Sequence, residues 1–112
     1  MDERQGRLAQ NEALFRQVNE KVEGLNQAFG AVTRDFAIVC ECGNQSCLEQ
    51  VTLSREEYES ARGNPEIFIV KPAHEVTEVE AVVARRSGYL LVRKLPGRGA
   101  ELARALDERS DD

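Results

Sequence analysis

The sequence predicts an α+β domain: a small mixed sheet with two short helices, preceded by a long N-terminal helix. Three observations predict it. The first thirty residues carry apolar positions at helical spacing, four short apolar runs lie between residues 35 and 94, and helix-capping signals stand between those runs.

Along the first stretch Leu8, Phe15, Val18, Val22, Leu25 and Phe29 fall on alternating steps of three and four, and Asn11 fills the one missing place. That pattern is a helix with a single apolar seam. It suits a coiled coil in which a polar Asn fixes register, and equally an amphipathic helix lying on its own domain. Gly30 can supply the stop after Phe29, so residues 1–31 are read as an amphipathic, coiled-coil-like arm. Residues 32–96 are read as the compact domain, and 97–112 as a weak helix with an acidic tail.

Within the domain, Asp35 to Cys40 is a run of strand length. Gly43, Asn44, Gln45 and Ser46 turn the chain, and Glu49 to Leu53 returns as a second strand. Ser54-Arg55-Glu56-Glu57 has the spacing of a capping box, predicting a helix that Gly63-Asn64-Pro65 ends. Ile67 to Val70 reads as a buried strand stopped by Pro72. Thr77 to Glu80 repeats the capping-box spacing, predicting a second short helix through Val79, Val82 and Val83; the same valines also permit a strand paired with Tyr89 to Lys94 through a Ser87-Gly88 turn. A weak helix is expected around Leu102 to Leu106.

At 112 residues, with 41% hydrophobic and 31% charged residues, one domain with one core is expected. Four Phe, two Tyr and no Trp make that core modest. With the arm set aside, roughly seventy to eighty residues remain, a size at which a metal or an oligomer often supplies missing stability. Neither a bilayer-length apolar run nor a signal-peptide layout is visible, so a cytoplasmic protein with no membrane association is expected. Three cysteines in a reducing compartment point to metal or redox chemistry rather than disulfides.

The net charge of −5 is unevenly spread. Residues 35–80 are strongly acidic, whereas Arg85, Arg86, Arg93, Lys94, Arg98 and Arg104 form a basic strip. The acidic half argues against a nucleic-acid partner, and the strip reads as solvated arginines.

Cys40, Cys42, Cys47 and His74 are all the cysteines and the only histidine of the chain. Zinc prefers four tetrahedral ligands drawn from thiolate and imidazole, and Cys40-x-Cys42-x4-Cys47 with His74 supplies three plus one. Each stands at a strand end or in a turn, where backbone can bend toward an ion. A closed Cys3His set leaves no place for water, which is the pattern of a structural ion. Three cysteines and a histidine can also hold a two-iron, two-sulfur cluster, although the long gap from Cys47 to His74 does not suit the known arrangement. A redox switch at the Cys-x-Cys pair is a further reading. The nearby Glu41, Glu49 and Glu75 add negative charge to an already anionic site and are assigned to the surface.

The strings Asn11 to Glu20, Cys40 to Cys47, Leu53 to Arg62 and His74-Glu75 resemble a group of short actinobacterial-type proteins. These join an Asn-Glu-x-x-Phe-Arg-x-Val-Asn-Glu helix to a Cys-Glu-Cys-Gly loop. The group brings no assigned activity, so the resemblance implies the architecture and the pairing of His74 with the cysteines. Ala73 departs from it, since such sequences tend to have glycine before the histidine.

No glycine-rich phosphate loop, nucleophile with a free histidine base, or deaminase pattern is present. The functional expectation is therefore a non-enzymatic, zinc-stabilised binding or regulatory module. It would act through protein contacts or self-association of the N-terminal helix, with a redox-sensing or iron–sulfur protein as the alternative.

Overall fold

The computed structural model describes residues 3–28, 35–44, 46–47 and 49–107, with side chains from residue 6 to 25 in the first helix. The expected stop at Phe29-Gly30, the link of Val32, Thr33 and Arg34, and the acidic tail Glu108 to Asp112 lie outside the described residues. Helix α1 (Glu3–Ala28) is followed by strands β1 (Asp35–Val39) and β2 (Gln50–Ser54), helix α2 (Arg55–Arg62) and strand β3 (Ile67–Val70). Strands β4 (Glu80–Arg86) and β5 (Tyr89–Lys94) and helix α3 (Arg98–Ala105) complete the order.

The class is α+β, but the strands form two antiparallel sheets rather than one mixed sheet. β1 and β2 make a hairpin, and β5 lies between β3 and β4. Helix α2 begins as expected: the Ser54 hydroxyl accepts from the Glu57 amide at 3.1 Å, and the Glu57 carboxylate accepts from the Ser54 amide at 2.8 Å. The helix expected after Thr77 is a strand instead. Glu80 Oε2 accepts from the Val76 amide at 2.9 Å, yet this closes only a turn, after which the β-branched Val82 pairs with Val92 of β5 and Val83 sits at a bulge in the register. Gly88, with φ of 88°, makes the turn between these strands.

Helix α1 lies against its own domain, and the face it buries is not the apolar seam. Ala9, Glu12, Ala13, Arg16, Asn19 and Glu23 point inward at steps of one to four, while Leu14, Val18 and Leu25 are 51, 40 and 60% exposed. Of the seam, Val22 packs on the core and Leu8 approaches Gly43. The polar face is buried because it meets specific partners. Arg16 donates to the carbonyls of Pro65 and Ala103 at 2.6 and 2.7 Å and stacks over the Phe68 ring at 4.8 Å. Tyr58 donates to Glu20 at 2.6 Å. Each such charge-assisted bond contributes about 1.5–3 kcal/mol net, whereas a seam residue laid on water forgoes a comparable burial term. The two small alanines let the helix come close enough for these bonds.

Two apolar clusters fill the interior. Phe36, Ile38, Val51, Leu53, Tyr58, Ala61, Ile69 and Tyr89 form the first. Phe68, Val70, Leu90, Val92 and Ala103 form the second, together with Cys40 and Cys42. Alternation along β3 sends Ile69 into one cluster and Phe68 and Val70 into the other. Among the described residues no helix is long and apolar enough to cross a membrane.

The arginines of the basic strip are exposed, as expected, and Lys94 alone of its six residues is buried. Arg93 and Arg104 pair with Glu66. Lys94 is buried, 2.7 Å from Glu12 and 3.6 Å from Glu80. Two buried carboxylates against one ammonium leave one charge uncompensated, so one acid keeps its proton. Burial pushes Glu12 up to about 8, against the pull of Lys94. A protonated Glu12 can donate to Glu80, which supplies a partner to carboxylate oxygens of both residues that otherwise have none. Because the folded-state value lies above the unfolded one, this contribution to stability is complete below about 4.5 and is lost as pH rises through about 8. Glu12→Gln, which keeps a donor toward Glu80, should therefore gain stability relative to wild type as pH rises from about 6 to about 9. The gain should be at most about 1.4 kcal/mol per pH unit in urea unfolding.

Candidate metal centre

Beyond β1, Cys40 continues the hairpin by donating its amide to the Glu49 carbonyl before the chain bends at Cys42 and Gly43, and the side chains of residues 40, 41 and 42 alternate in direction. Cys40 and Cys42 take one side. Between them Glu41 faces the other way and is fully buried, paired with the Arg62 guanidinium and accepting from the Ile69 amide at 3.0 Å. The Glu41 amide in turn donates to the Ile69 carbonyl at 2.9 Å, joining the hairpin to β3. Glu41 is thus a buried anchor, not the surface acid that its place in the sequence suggests.

The loop then folds back through an Asn44-centred turn. The Asn44 side chain accepts from the Ser46 amide and its carbonyl from the Cys47 amide, each at 2.9 Å, which brings Cys47 beside the first two cysteines.

His74 arrives from β3 on a second turn. The His74 amide donates to the Lys71 carbonyl at 3.0 Å across Pro72 and Ala73, and Ala73 has φ of 73°. Proline at the second position and positive φ at the third are the marks of a type II turn. Glycine suits that third position, so Ala73 carries the strain of a side chain in left-handed backbone.

The structure brings all four expected ligands together. One ligand atom from each of Cys40, Cys42, Cys47 and His74 lies within 4.8 Å of every other. His74 Nδ1 is 3.6 Å from Cys40 Sγ and 3.5 Å from Cys47 Sγ. Metal–sulfur and metal–nitrogen bonds of about 2.3 and 2.05 Å set at the tetrahedral angle give a sulfur–nitrogen edge of about 3.6 Å. The group could hold a metal ion at the margin of the second core cluster.

Its electrostatics differ from one sulfur to the next. Each sulfur accepts a backbone N–H: Lys71 to Cys40 at 3.2 Å, Asn44 to Cys42, and Glu49 to Cys47. Hydrogen bonding from Cys40 draws Cys42 down to about 4, and the same bond, with burial, pushes Cys40 up. Desolvation raises Cys47. A dication held by the three sulfurs would displace their protons. A cavity of about 520 Å³, lined by Leu8, Cys42, Asn44, Ala73, His74 and Val76, opens beside the set and offers an ion a path in.

Sequence reasoning singled out the four residues that cluster but not what positions them. Asn19, Glu41 and Arg62 lie far apart in the chain, and only the two-residue alternation around Cys40 and Cys42 hints that Glu41 faces inward. The strain at Ala73 is directly testable: Ala73→Gly should raise the melting temperature, by a stabilisation of up to about 1 kcal/mol, without changing metal content.

No family model, curated protein or solved structure matches the chain, which leaves the geometry of these four residues to carry the functional reading.

Proposed function

We propose that the protein is a non-enzymatic, zinc-stabilised module that works through protein contacts. The observation that carries this reading is the mutual approach of three sulfurs and one imidazole nitrogen within 4.8 Å. That separation suits one tetrahedral ion. A two-iron cluster needs its ligands in two pairs set apart by the width of the cluster, so the compact set favours zinc over iron–sulfur. Four protein ligands fill the sphere, and zinc in such a site folds the chain rather than activating water. Here it would fasten the β1–β2 loop to the end of β3 and seal one edge of a small core.

Contact with a protein partner is supported by the outward face of α1. Leu14, Val18 and Leu25 stand on it with Arg7 and Lys21, while Glu12, Glu20 and Glu23 turn toward the domain. An apolar stripe with basic flanks suits a helix bearing acidic flanks better than a second copy of itself. The resemblance to short actinobacterial-type proteins agrees with the architecture and adds no activity.

Purified under reducing conditions, the protein should be colourless and contain one zinc per chain by mass spectrometry. Cys42→Ser and His74→Ala should lose the metal and much of the cooperative unfolding transition. Stoichiometric iron with visible absorbance would put the iron–sulfur reading in its place, and metal-free folded protein would end both. For the outward face, Leu14→Lys with Leu25→Lys should leave zinc content and melting temperature unchanged but abolish capture of an acidic amphipathic helical peptide. Equal capture by both proteins removes that face from consideration.

A further inference from the structure

Helix α1 touches the metal segment from the side opposite the ligands. Asn19 grips Val39 at both backbone groups: its Oδ1 accepts the Val39 amide at 2.9 Å, and its Nδ2 donates to the Val39 carbonyl at 2.9 Å. The same Nδ2 lies 2.6 Å from Glu41 Oε2. Two turns earlier along the helix, Asn11 Nδ2 donates to the Gly43 carbonyl at 3.1 Å. Residues 39, 41 and 43 therefore face α1, and residues 40 and 42 face the metal position.

Gly43 shows how tightly this contact is made. Its φ is 81°, and a side-chain carbon there would stand 2.5 Å from Leu8 Cδ1 and 2.9 Å from Glu12 Cγ. The helix thus lies on bare backbone one residue beyond Cys42. Asn11 was expected to fix register in a coiled coil; its side chain is engaged with this loop instead.

We propose that α1 is a working part of the metal centre: Asn11 and Asn19 hold segment 39–43 in place with its cysteines aligned, and metal loading in turn locks α1 onto the domain. This rests on the reading of the four residues as a metal site and adds its regulation. The physical basis is linkage. If a docked helix raises metal affinity by holding the ligands in place, the metal raises the stability of the docked helix by the same factor. The contact surface of α1 makes such exchange feasible, because its inward face is polar and can be rehydrated on release, unlike an apolar face. Metal loss would then free α1 selectively, while β3, β4 and β5 keep the second sheet.

Amide exchange on the full-length chain tests this in both directions. Removing zinc with a chelator under reducing conditions should speed exchange within residues 8–23 by about tenfold or more, with residues 80–94 little changed. Reciprocally, Asn19→Ala and Asn11→Ala should weaken zinc binding by about 10–100-fold in competition with a chromophoric chelator. Asn11→Ala, at a half-buried position, remains informative if Asn19→Ala does not fold. Arg93→Ala, which breaks the pair with Glu66 in the other sheet, should leave zinc affinity within a factor of about 3, since sites without shared partners are nearly independent. Exchange in α1 that ignores zinc, asparagine variants with wild-type affinity, or an Arg93→Ala protein weakened as much as they are would each overturn the proposal. A wild-type chain that takes up no zinc would overturn the site itself, and this inference with it.

Discussion

The carboxylate of Glu41 is the point on which the rest of the structure turns. It stands between two of the sulfurs yet faces away from them, holding the Arg62 guanidinium of α2, the Asn19 amide of α1 and the Ile69 N–H of β3. Three elements thereby converge on one buried charge. Removing a single partner from such a pair costs about 3–5 kcal/mol, a large share of the roughly 5–15 kcal/mol that keeps a domain of this kind folded. The alternation that turns Glu41 to one side turns Cys40 and Cys42 together to the other, into the second core cluster, so the fold and the Cys3His cluster share one cause.

Polar burial is the pattern of the whole helix interface. Glu12, Arg16, Asn19, Glu23, Glu41, Arg62, Glu80 and Lys94 are all buried, an unusual complement for so small a protein. Such groups contribute less net stability than well-packed hydrocarbon, but they are specific: each needs its own partner at the right distance. A modest apolar core gives the chain its collapse, and the polar layer fixes how α1, the hairpin and the three-stranded sheet are arranged. A bound ion at the edge of the second cluster would add what a core with four Phe and no Trp lacks.

Much of this was legible in the chain, and the reasons for the rest are physical. The cluster could be read because metal chemistry restricts residue type: no other cysteine or histidine competes with Cys40, Cys42, Cys47 and His74. The cap on α2 could be read because Ser54 and Glu57 act on their own backbone. At Thr77 the same spacing misled, because the valines that follow found a strand partner in β5 and tertiary pairing outweighed a local turn. The first helix was recognised but turned the wrong way. Periodicity locates a seam and cannot say that Lys94, the Pro65 carbonyl and the Val39 backbone are waiting for the opposite face. Within the string Asn11 to Glu20, the polar residues Asn11, Glu12, Arg16, Asn19 and Glu20 all make these inward contacts.

The measurement that bears most directly on the metal centre is X-ray absorption at the metal edge of the loaded protein. A single zinc with three sulfur neighbours and one nitrogen, at about 2.3 and 2.0–2.1 Å, is the expected first shell. A shell dominated by oxygen and nitrogen, or a metal–metal neighbour from a cluster, would contradict the assignment of Cys40, Cys42, Cys47 and His74 to one structural ion.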